Sequence, residues 1–127
     1  MEMASILRYS FQTMIIASIR IDPMPGKRLS VLEILMSVKT MTRLKHGCIY
    51  CNIYEEHDDG QKILYIEKWQ ARDDMYQHIR SNLYLRVLNA IELASKLPEI
   101  CFHEDSETAG IELIEAIRLE NTVKQPL

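Results

Sequence analysis

Ile63-Leu64-Tyr65-Ile66-Glu67-Lys68-Trp69 decides the fold. Side chains of an extended segment alternate, so a strand over residues 62–69 puts Ile63, Tyr65, Glu67 and Trp69 on one face and Leu64, Ile66 and Lys68 on the other. Both faces are apolar toward the middle, and each therefore predicts a cover. Immediately upstream, residues 48–54 read as another strand. The intervening polar segment closes on Asp59-Gly60, a pair suited to the positive dihedrals of a hairpin turn, which makes the two strands antiparallel neighbours.

Working further back, residues 27–44 contain no proline or glycine, and Val31, Ile34, Leu35, Val38 and Met41 recur at helical spacing. Gly47 ends this helix. Before it, residues 14–21 are rich in β-branched side chains and stop at Pro23 and Pro25-Gly26, which reads as a strand entering a turn.

Downstream, Asp73 and Asp74 occupy the first turn of a helix that places Met75, His78 and Ile79 on one face. A second helical segment, residues 83–96, has Leu83, Val87, Leu88, Ile91 and Ser95 as its inner stripe and stops before Pro98. Residues 99–103 form a further strand, and 104–110 a polar loop. Residues 111–119 fit neither period cleanly and are expected as a fifth strand, with a polar, frayed tail over 120–127. The order is β-α-β-β-α-β: an α+β, ferredoxin-like split βαβ sheet with helices on one face. All 127 residues are expected in a single domain, with the core at about 14–118 and residues 1–13 as an N-terminal extension.

With 15 basic and 18 acidic residues dispersed along the chain, there is no cationic stripe for nucleic acid. Glu2, Arg8 and Arg20 interrupt the N-terminal apolar residues well short of a membrane span or signal core. Three cysteines do not close a disulfide set, which favours reduced thiols and a cytoplasmic location.

Pro25-Gly26 before the first helix, Gly47-Cys48 opening the second strand, Ile66-Glu67-Lys68-Trp69 closing the third and His78-Ile79-Arg80-Ser81 on the following helix resemble the antibiotic biosynthesis monooxygenase family, within the dimeric α+β barrel superfamily. The resemblance spans roughly residues 14–118, and its most specific element is Trp69 followed nine residues later by His78. It implies a homodimer in which two sheets pack face to face, supplying the missing cover. It also implies a quinol monooxygenase type of activity: oxidation of a quinol, phenol or similar electron-rich aromatic by dioxygen with neither metal nor flavin. Two alternatives stay open: a haem-degrading or haem-binding barrel, against which residues 15–21 lack the expected asparagine, and a non-catalytic dimeric module that binds a small ligand or regulates.

Cofactor-free oxygenation requires the protein to bind its substrate, remove a proton, admit oxygen and exclude water. His78 is the candidate base, because imidazole titrates near working pH and its helix can face the strand bearing Trp69. Trp69 could stack on an aromatic substrate and donate its indole N–H. Tyr65 and Glu67 share the Trp69 face, Tyr50 and Asn52 share one face of the neighbouring strand, and Arg80 and Asn82 follow His78; these six are candidate substrate contacts. Cys48 and Cys51 stand in a CxxC spacing, but an odd separation along one strand sends side chains to opposite faces, so packing is the expectation rather than metal or redox use. His46, His57 and His103 show no ligand spacing, and Met36 and Met41 are expected in the core.

Overall fold

The computed structural model describes residues 13–58, 60–105 and 109–124. The strands are β1 (Met14–Ile21), β2 (Cys48–Glu55), β3 (Ile63–Trp69) and β4 (Glu99–Asp105); the helices are α1 (Arg28–Thr42), α2 (Arg72–Arg80), α3 (Tyr84–Glu92) and α4 (Ile111–Lys124). All pairings are antiparallel and the strand order is β2-β3-β1-β4. This is the α+β ferredoxin-like arrangement expected from the sequence, with β3 inserted between the strands that flank α1.

Alternation along β3 holds: Ile63, Tyr65, Glu67 and Trp69 are buried, whereas Leu64, Ile66 and Lys68 are half-buried. Ile15, Ala17, Ile19 and Ile21 of β1 lie on the same helix-covered face. Val31, Leu35, Val38 and Thr42 of α1 and Val87 and Ala90 of α3 close over it. Each aliphatic side chain fully removed from water there contributes roughly 1.5–3 kcal/mol, which fixes the helices on this face. Ile16, Ser18 and Arg20 of β1 share the opposite face with Leu64 and Ile66, under no helix among the described residues.

Several expectations need correction. Residues 111–119 are helical, not a fifth strand: α4 continues to Lys124, so residues 120–124 of the expected tail are helical too. Pattern could not decide this segment, because its apolar residues are exposed and no burial imposes a period. On α3 the inner stripe is Tyr84, Val87 and Ala90, rotated from the expected one; Leu88 is exposed, and the helix ends at Glu92. Met36 and Met41 are exposed rather than core, with Thr42 taking the inward position.

Asp59, the first residue of the expected turn pair, lies outside the described residues. Gly26 and Gly47 take positive φ values, 79° and 83°. A Cβ on Gly47 would also overlap the Asp74 carboxyl group, so only glycine lets the chain turn from α1 into β2 beneath α2. No helix among the described residues is long and apolar enough to cross a membrane.

Candidate functional site

The alternation that buries β3 places a carboxylate at the centre of the sheet's covered face. Glu67 is 2% exposed, a costly position unless its oxygens are satisfied. Three polar side chains converge on it. Tyr65 donates its hydroxyl to Oε2 at 2.5 Å, Trp69 donates Nε1–H to Oε1 at 2.8 Å, and His78 Nε2 lies 2.9 Å from Oε2. Tyr65 in turn accepts from the Cys51 thiol at 3.3 Å. The His78 ring, 1% exposed, lies between two aromatic rings, with centroids 5.1 Å from Trp69 and 5.2 Å from Tyr84.

The outer nitrogen of His78 meets a residue that sequence reasoning did not single out. Lys45, in the turn between α1 and β2, places Nζ 3.0 Å from His78 Nδ1 and donates to Ser81 Oγ at 2.9 Å. Ser81 Oγ donates to the His78 carbonyl oxygen at 2.6 Å, closing the ring of contacts. Lys45 is 33 residues from His78 in the chain, and no local pattern joins a turn lysine to a helix histidine. Ser81 stood in the motif around His78, which was a usable signal.

The candidates therefore divide. Trp69, His78, Tyr65 and Glu67 come together in one buried cluster. Tyr50 and Asn52 pair with Lys68 and Ile66, on the opposite face of the sheet from Glu67. Asn52 there accepts from Arg43 at 2.7 Å. Arg80 and Asn82 are exposed. Cys48 and Cys51 correct the alternation argument: a register shift between Cys48 and Tyr50 sets Cys48 opposite Trp69 and Cys51 opposite Glu67, so both thiols fall on the covered face. Among the described residues no group of three or more His, Cys, Asp and Glu side chains is placed to hold a metal.

Burial, then the Glu67 charge, raises the ionisation of Tyr65 and of Cys48 above their usual ranges and pushes Tyr84 up to about 12. Burial likewise pushes Cys51 up to about 12 from 9.0. Lys45 is moved the other way, lowered by desolvation with Glu67 opposing. The raised folded-state values of Cys51 and Tyr84 mean that their contribution is complete below the unfolded value, 9.0 for the thiol, and is lost as pH climbs toward about 12. Denaturant midpoints should therefore fall between those limits, and Cys51→Ala should flatten the decline. A wild-type midpoint constant over that window would contradict the burial assigned to these groups.

Beside the cluster, between α2 and the β4 edge, lies a cleft of about 530 Å3. Its walls are Ile15, Met75, Tyr76, Ile79 and Phe102, with Arg72, His103 and Glu104 as its polar lining. Arg72 and Glu104 form an ion pair joining α2 to β4. Neither Trp69 nor His78 lines the cleft; Ile15, Met75 and Ile79 pack against Trp69 and form part of the wall. The open sheet face carries a second depression of about 580 Å3, where Arg20 is paired with Glu56 and Glu99.

The family model described as antibiotic biosynthesis monooxygenase matches residues 14–90. Among solved structures, a Mycobacterium tuberculosis protein is similar with TM-score 0.70 and 23% identity, covering 76% of this chain and 99% of its own. A conserved protein from Methanosarcina mazei has TM-score 0.70 at 21% identity, over 77% and 98% of the two chains. A Deinococcus radiodurans protein named as a candidate antibiotic biosynthesis monooxygenase has TM-score 0.69 at 16% identity, over 76% and 96%. No curated protein matches the chain.

Proposed function

Because this chain belongs to the antibiotic biosynthesis monooxygenase family, we propose that it binds a quinol, phenol or similar electron-rich aromatic in the cleft between α2 and β4 and oxidises it with dioxygen. The family match by itself supports the coarser statement, a monooxygenase-type or small-molecule-binding role. The observation that carries the finer one is a buried Glu67–His78 couple that also holds Trp69, with Ile15, Met75 and Ile79 lying between Trp69 and an apolar cleft. A phenol with an open para position and one dioxygen give a quinone and water, so one oxygen atom reaches carbon and the other leaves as water. The protein's share is to take the phenolic proton, hold the electron-rich anion and keep bulk water out.

In this reading Trp69 and His78 remain the reacting-end residues, Tyr65 and Glu67 hold His78, and entry of substrate displaces Met75 and Ile79. The other acidic groups around Glu67 suit the task, since Tyr65, Tyr84 and Cys51 all keep their protons at neutral pH. The chain's only tryptophan is Trp69, so its fluorescence reports occupancy of the cleft. Quenching by quinols or phenols together with oxygen uptake is the expected result. Quenching without uptake would favour the second reading, a non-catalytic small-ligand module, which gains support from both His78 nitrogens being engaged.

Proteins of this family are typically dimeric, and the uncovered face of β1 and β3 gives a physical reason for a homodimer here. Light scattering at micromolar concentration should return twice the chain mass. A stable monomer would remove the barrel from this account.

A further inference from the structure

With Lys45 protonated, its contacts determine where the protons of the buried cluster lie. Ser81 Oγ commits its hydrogen to the His78 carbonyl at 2.6 Å, so toward Lys45, at 2.9 Å, that oxygen only accepts. A protonated lysine has donors and no acceptor, so the 3.0 Å contact with His78 Nδ1 requires an unprotonated Nδ1. The ring hydrogen then sits on Nε2 and points at Glu67 Oε2, 2.9 Å away. Glu67 receives Tyr65 and Trp69 as well, an arrangement suited to an ionised, acceptor-only carboxylate.

We infer that Lys45 is a positioning residue: it holds His78 as the neutral Nε2–H tautomer and determines when Nδ1 is free to take a proton. This rests on the proposed function, in which His78 is the base, and it locates the accepting atom at Nδ1 rather than Nε2. For His78 to accept a substrate proton, the Lys45 ammonium must turn from Nδ1 to another acceptor. A substrate oxygen brought within reach of Nδ1 would provide one as it ionises: the O–H proton passes to Nδ1, the new oxygen anion faces the ammonium, and the imidazolium faces Glu67. Charge is conserved and no redox partner is needed for this step.

The other titratable groups around the ring do not compete for the proton. Tyr65 on β3, Tyr84 on α3, and Cys48 and Cys51 on β2 are all held neutral near pH 7. The nearby cation on the β2 side, Arg43, is bound to the Cys51 carbonyl and to Asn52. Removing Lys45 would leave Glu67 buried without a facing cation, a state relieved when His78 itself takes up a proton.

Long-range proton–nitrogen NMR spectra of the full, nitrogen-15-labelled chain at neutral pH test this without any substrate. Wild type should show His78 with a proton on Nε2 and none on Nδ1. Lys45→Met should show both nitrogens protonated, and Lys45→Arg should restore the wild-type pattern by returning a donor cation. A wild-type His78 with its proton on Nδ1, or a Lys45→Met spectrum unchanged from wild type, would overturn the inference. The wild-type spectrum decides even if the methionine variant does not fold. Failure of the oxidation reading would appear separately, as absent oxygen uptake with the tautomer intact.

Discussion

Replacing His78 with glutamine should lower oxidative turnover by about 100-fold to 10,000-fold, the range typical of a lost general base. Glutamine is the informative substitution because His78 is 1% exposed and its Nε2 serves Glu67. In the structure, alanine would also remove a buried ring and one donor to Glu67, mixing a stability loss into the kinetics. The glutamine amide retains an N–H for Glu67 yet offers no basic nitrogen. Trp69→Phe should cost less turnover, since it keeps most of the packing while removing one hydrogen bond to Glu67. A His78→Gln enzyme within about threefold of wild type would exclude the base role.

The second large effect concerns stability. Glu67→Ala strands the buried Tyr65 hydroxyl, Trp69 N–H and His78 N–H without their acceptor, and each buried donor left unsatisfied typically costs about 1–3 kcal/mol. For a small domain whose whole stability is of order 5–15 kcal/mol, that is a loss readily seen in urea unfolding. Glu67→Gln keeps the shape, but its amide N–H would face the His78 N–H in one orientation and the Trp69 N–H in the other, so one donor is left without an acceptor either way. An intermediate loss is expected, about 1–3 kcal/mol. A Glu67→Ala midpoint within error of wild type would show that the cluster does not hold the sheet to its helices.

Where one face of an element is buried, periodicity could be read from the sequence. Alternation in residues 62–69 located Tyr65, Glu67 and Trp69 on a common face, and the helical period brought Met75 and His78 toward them. Exposure erased that signal in α4, whose Ile111, Leu113, Ile114, Ile117 and Leu119 are all in solvent. A single extra residue erased it in β2, where the register shift after Cys48 returned both thiols to one face. Lys45 escaped notice for a different reason: its role depends on a turn being brought under α2 by Gly47, a three-dimensional relation absent from any local pattern.

The central claim is that this chain places one oxygen atom of dioxygen on an electron-rich aromatic. The most direct test follows oxygen consumption and quinone formation together on a panel of phenols and quinols, then adds catalase. The account predicts one quinone per oxygen consumed with a phenol as substrate, and no oxygen returned by catalase, because the second atom leaves as water. Oxygen returned by catalase in proportion to product would mean that peroxide was formed, and would contradict it.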